Sequence, residues 1–114
     1  MVLSQAGRQK EELKEESVPT YVSLINWTEQ GIKNFRESTR RAEDFTKLVE
    51  THGGKVRELV WTVGEYDLVS VIEFPDEESG VAALLQVGSA GNIRSNTLRA
   101  FSAREMENIV ARTG

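Results

Sequence analysis

Glu65, Tyr66 and Asp67 follow Gly64 inside VWTVGEYDLVSVIEF, between two apolar runs. Two carboxylates flanking a phenol are materials for proton transfer: Asp67 or Glu65 as base, Tyr66 as proton donor. Such groups act only when the fold brings them a partner. The partners on offer are Asn26 and Trp27, at the end of one apolar run, and Asn92 and Arg94, at the start of another. Arg94 would hold a carboxylate or enolate oxygen in its fork of N–H donors. Together these residues make a small polar site beside an apolar wall, suited to a small, anionic organic molecule. The same residues also have a purely structural reading. Asp and Gly shape turns, a tyrosine ring packs across a hairpin, and an arginine pairs with a turn carboxylate within or between subunits. Catalytic duty is therefore assigned to none of them, and Asp67, Tyr66 and Arg94 stand as candidates.

Other chemistry is thinly supplied. The chain has no cysteine, which removes disulfides, thiolate zinc sites and thiol catalysis, and a cysteine-free chain fits a reducing cytoplasm. His52 is the single histidine and falls in the last turn of an expected helix, where a cation suits the helix dipole; alone it is a poor metal ligand. No metal or cofactor is expected. GSAGN, residues 88–92, is glycine-rich but lies after a helix and before a strand, the reverse of a phosphate loop. Arg40 and Arg41 in STRR sit early in a helix, slightly against its dipole, and read as a solvated surface or a subunit contact. Trp27 and Trp61 read as core or interface before they read as substrate platforms.

The chain has 114 residues, one domain's worth, and a formal net charge of −4. That charge argues against non-specific binding to nucleic acid or to anionic membranes. No apolar run is long enough to span a bilayer. The opening MVLSQAGRQKEELKEES lacks a continuous apolar core and is too acidic for a transit peptide. Residues 1–18 read as a polar tail that buries too little to hold itself in place, frayed helix or disorder unless it docks on a partner subunit, and the domain is expected over 19–114.

Stepping along the domain, TYVSLINW is strand-like, and Thr28 can cap a short turn weakened as helix by Gly31. Ser38 can cap a helix that carries Ala42, Phe45, Leu48, Val49 and His52 along one face and stops at Gly53-Gly54. VRELVWTV and YDLVSVIEF are strands joined by a tight two-residue turn at Gly64-Glu65. Asp76 can cap a helix from Glu77 to about Val87, packed by Val81, Leu84, Leu85 and two alanines. IRSNTLRAF is a polar, edge-type strand, and the capping box SARE opens a short last helix lined by Met106, Ile109 and Val110. The order β-α-β-β-α-β predicts an α+β, ferredoxin-like antiparallel sheet of order 4-1-3-2, with both long helices on one face. In that order the seven residues of the candidate site gather at one end of the sheet.

The strands are apolar on both faces. Leu68 and Ile72 oppose Val69 and Val71; Leu59, Trp61 and Val63 oppose Val60; Val22 and Leu24 oppose Tyr21, Ile25 and Trp27. Covering each such side chain is worth about 1.5–3 kcal/mol, and a whole exposed face would demand a partner. A second subunit, sheet against sheet, is the expected cover; the alternative is the C-terminal helix folding back. Ser23 and Ser70, polar within apolar strands, favour a cavity over a fully dry interface.

PTYVSLINWTEQGIKNF, GGKVRELVWTVGEYDLVSVIE and GSAGNIRSNTLRAFS together resemble the GYD-domain family, named for the Gly-x-Tyr-Asp turn present here as Gly64, Tyr66 and Asp67. The similarity runs from about Pro19 to Ile109, in separated blocks that keep their order. It implies a ferredoxin-like domain related to dimeric α/β-barrel proteins, and it brings no catalytic residue. Members often carry proline after the serine that opens the first long helix; Thr39 stands there in this chain, a difference expected to touch stability. The functional expectations are an oligomeric small-ligand-binding module, a cofactor-independent isomerase or monooxygenase acting on a small organic acid, or a structural or interaction protein whose shared sheet is its purpose.

Overall fold

The computed structural model describes residues 18–114. The polar tail assigned to residues 1–18 therefore lies outside the described residues, Val18 apart. The elements are β1 (Thr20–Trp27), α1 (Glu29–Lys33), a 3-10 turn (Phe35–Glu37), α2 (Ser38–Thr51), β2 (Lys55–Trp61), β3 (Leu68–Glu73), α3 (Glu77–Ser89), β4 (Ile93–Ala100) and α4 (Ala103–Ala111). The four strands make one antiparallel sheet in the order β2-β3-β1-β4. The expected order 4-1-3-2 is this arrangement read from the opposite edge.

Strand register decides which side chains share a face. Ile25 pairs with Leu68 and Ser95, Ser23 with Ser70 and Thr97, and Tyr21 with Ile72 and Arg99. These residues face the helix layer, where Val49 of α2 and Ala83 of α3 close over Ile72 and Phe74, with Tyr21, Phe45, Leu48 and Val56 packed around them. The other face carries Val22 and Leu24 of β1, Val69 and Val71 of β3, Val60 of β2 and Leu98 of β4. Val60 and Leu98 are each 46% exposed on it. The C-terminal helix does not cover this face: Met106, Ile109 and Val110 of α4 stand exposed themselves.

Caps account for most element ends. Thr28 Oγ1 accepts the Gly31 amide at 3.1 Å, and Asp76 Oδ1 accepts that of Ser79 at 2.7 Å. The Ser102–Glu105 box is closed in both directions. Gly53, at φ +79°, turns the chain out of α2 in the left-handed region that glycine adopts cheaply. Gly31 serves a different need. It is buried against the turn before β4, and a Cβ there would lie 2.0 Å from the Asn92 carbonyl oxygen.

Several expectations are corrected. Ser38 is the first residue of α2 rather than its cap, because the 3-10 turn already supplies the entry. The packing side of α3 is Gly80 and Ala83, while Val81 and Leu85 point outward, Leu85 at 70% exposure. Small residues let α3 lie close to Tyr21 and Phe74, which outweighs the apolar content of its other side. Ser23 and Ser70 face the helix layer, and the cavity their polarity suggested lies there, with Ser23 on its wall. Ser23 Oγ bonds Thr97 Oγ1 at 2.9 Å, and the buried Ser70 hydroxyl finds no partner among the described residues.

Candidate functional site

The hairpin between β2 and β3 keeps the expected register, with Trp61 opposite Leu68. The ladder nevertheless stops there, short of the expected tight turn, and Thr62–Asp67 forms a wider loop. The cause is Asp67. Its amide donates to the Ile25 carbonyl at 2.8 Å, and its Oδ2 accepts the amide hydrogen of Trp27 at 2.9 Å. Both ends of the residue are thus committed to β1. Thr62 closes the loop from the other side: its amide donates to the Asp67 carbonyl at 2.8 Å and its hydroxyl to the Tyr66 carbonyl at 2.5 Å. Glu65 and Val63 at the tip are exposed.

The other members assemble at the same end of the sheet. Asn26 lies directly opposite Arg94, and Trp27 opposite Ile93. The Asn92 carbonyl accepts the Thr28 amide at 3.0 Å, and its side-chain Oδ1 accepts from Gln30 Nε2 at 3.0 Å. So the fold brings the seven residues into one neighbourhood but divides them between two faces. By register Asn26 and Arg94 share the open face, although Arg94, on the edge strand, also borders a helix-side space; Trp27 and Asn92 line a space on the helix side. Glu65 remains at the loop tip. No ion pair joins Arg94 to Asp67 or Glu65 among the described residues.

Two neighbouring cavities with shared walls open between α2, α3 and the sheet. One, of about 240 Å³, is walled by Ile25, Trp27, Phe45, Leu48, Leu59 and Leu68, with Arg41, Gln86 and Asn92 among the residues at its margin. The other, of about 310 Å³, shares Ile25 and Phe45 and reaches Ser23, Arg94 and Ser95. Asn26, Glu65, Tyr66 and Asp67 line neither.

Arg41, expected on a solvated surface or at a subunit contact, is drawn inward instead. It is half-buried, and its guanidinium donates to the carbonyls of Asn34 at 2.7 Å and Gly31 at 3.1 Å. Those carbonyls end α1, where a cation is favoured. The signal in the sequence was its position shortly after a short helix rather than early in a long one. His52 caps the end of α2 and meets Gln86 Oε1 at 3.0 Å. Among the described residues, no three His, Asp or Glu side chains group as a metal site.

A family model described as "GYD domain" matches residues 21–110. The chain belongs to the GYD domain family. The Gly-x-Tyr-Asp signature is here the loop whose aspartate grips β1. A protein of Thermus thermophilus named "Glutamine synthetase and cystathionine beta-lyase binding protein" is 26% identical to this GYD chain over 90 residues, covering 78% of this chain and 95% of that protein. A crystal structure of a protein of unknown function from Rhodopseudomonas palustris aligns with a TM-score of 0.47 at 14% identity, over 82% of this chain and 93% of that one. No helix among the described residues is long and apolar enough to cross a membrane.

Proposed function

We propose that this GYD-domain protein is a non-catalytic, oligomeric binding module that docks through the helix-free face of its sheet. The observation that carries the reading is the apolar centre of that face, Val22, Leu24, Val69 and Val71, all only part-buried, flanked by exposed Val60 and Leu98 and covered by no helix among the described residues. Glu58, Glu73, Asn26, Asn96 and Arg94 surround it, giving the apolar core and polar rim of a protein interface. A second copy is the first occupant, because most soluble oligomers are homo-oligomers in which one patch meets the same patch on its partner, and an apolar centre of this kind can serve both sides. The name of the Thermus relative supports binding to other proteins as the role of the assembled form.

The hairpin-end residues fit this reading as rim. Arg94 and Asn26, side by side on the open face, can receive a carboxylate from a partner chain or from a small organic acid held where two copies meet. Enzymatic turnover there is disfavoured because Asp67 and Glu65 line neither cavity, and Asp67 Oδ2 serves the Trp27 amide. A cytoplasmic setting fits the absence of cysteine.

Sedimentation at micromolar concentration tests the proposal. The wild-type chain is expected as a dimer or larger, and Leu98→Lys and Val60→Lys as folded single protomers, since both sites are already part-exposed at sheet edges. A wild-type chain that sediments as one protomer overturns it.

A further inference from the structure

We propose that the groove between α2 and α3 is a binding site for a small monocarboxylate with an apolar body. The site is independent of the open face and lies on the opposite side of the sheet. Its walls, including Ile25, Trp27, Phe45 and Leu68, offer an apolar volume of about 240 Å³. That is room for one ring or a branched aliphatic group, at the small end of ligand pockets.

The margin supplies hydrogen-bond donors. Gln86 Oε1 is taken by His52 Nε2, and the Gln86 amide hydrogens have no acceptor among the described residues. Asn92 Oδ1 is taken by Gln30 Nε2, and the Asn92 amide hydrogens likewise have no acceptor among the described residues. Arg41 is fixed by two carbonyls, spending two of its five N–H groups, and no carboxylate lies within ion-pair distance of it among the described residues. Arg41 and the Asn92 amide belong to one end of the groove, since the Gly31 carbonyl that holds Arg41 belongs to the residue packed on Asn92, while Gln86 sits toward the His52 end; the Arg41 end presents donors without acceptors. The group that matches them is acceptor-only and negatively charged, a carboxylate. Because the arginine is already held in place, little side-chain freedom is lost on binding. Asp44, exposed on the same margin, repels any anion and a diacid more than a monoacid, so the preference is for a single carboxylate.

The experiment is a titration of ¹⁵N-labelled protein with phenylacetate, followed by NMR. The two tryptophan indole signals separate the site from the rest: Trp27 lines the groove and Trp61 does not. The expected result is saturable movement of the Trp27 indole and of the Asn92 and Gln86 side-chain amides, with the Trp61 indole unmoved. Phenylacetamide, the same ring without the charge, is expected to bind at least tenfold more weakly, as is phenylacetate to Arg41→Gln. Ala90→Trp, at an exposed position on the margin, is expected to plug the groove and abolish the response; the same spectra report whether each variant is folded, and Ala42→Leu serves as a second plug. Absence of saturable binding to the wild type, equal binding of phenylacetamide, or unchanged binding in both folded plug variants overturns the proposal.

Discussion

The Asp67 carboxylate accepts the amide hydrogen of Trp27 at 2.9 Å, 40 residues away in the chain. Together with the Asp67 amide on the Ile25 carbonyl, this fastens the β2–β3 loop to the last residues of β1. Trp27 N–H would otherwise sit at the end of the β1–β3 ladder without a strand partner, since the pairing stops at Ile25 and Leu68. The aspartate of the family signature therefore extends the sheet with a side chain where the backbone runs out.

Asp67→Ala should accordingly destabilise the fold by about 1–3 kcal/mol, the cost of orphaning a half-buried donor that had a charged acceptor. Asp67→Asn keeps an acceptor oxygen and should lose less. Urea unfolding measures both, and amide exchange at Trp27 should quicken in the alanine variant. An alanine variant with wild-type stability would leave the clamp without a structural role.

Gly31→Ala places a methyl group where the Asn92 carbonyl oxygen stands, 2.0 Å from the new Cβ. Alanine favours helix over glycine by about 1 kcal/mol, so propensity alone forecasts a gain. Overpacking against backbone outweighs it, and a net loss of about 1–3 kcal/mol is expected. The lost Thr28–Asn92 bond should appear as faster exchange of the Thr28 amide.

Phe74 is buried at 1% exposure, packs its ring edge-on to Tyr21 with centroids 6.1 Å apart, and lies under Gly80 of α3. Phe74→Ala should cost about 3–5 kcal/mol, enough to unfold much of a marginal domain at 37 °C. Phe74→Leu should retain the fold with a smaller loss, which thermal denaturation would rank.

Asp76 at the start of α3 has its pKa lowered, first by the hydrogen bond from the Ser79 amide and then by the Ser79 side chain. Folding therefore favours the ionised form. Its contribution is fully present above the ordinary aspartate value of about 3.9 and is lost as pH falls through the lower folded value. Asp76→Ala should thus be less stable than wild type at pH 7, with the difference narrowing at pH 3 and below. A gap that stayed constant across that range in denaturant titrations would contradict the cap.

Local chemistry was legible in the sequence wherever a residue acts on its neighbours. Thr28, Asp76 and the Ser102–Glu105 box cap what they precede, because a side chain reaching three residues ahead needs no tertiary structure. Alternation of apolar residues gave the strands, their two-sided character and, with the element order, the sheet. The gathering of Asn26, Trp27, Asp67, Asn92 and Arg94 at one end followed from topology alone. What pattern could not supply was direction and commitment. Only the packed structure decided that Asn26 and Arg94 lie on one face while Trp27 and Asn92 serve the other, and that Asp67 is occupied by a backbone amide. It alone turned α3 onto Gly80 and Ala83 instead of Val81 and Leu85, and drew Arg41 to the end of α1. Each of these depends on how closely two distant backbones approach, and close approach is set by the volumes and unpaired polar groups of both partners together, which no single stretch of chain contains.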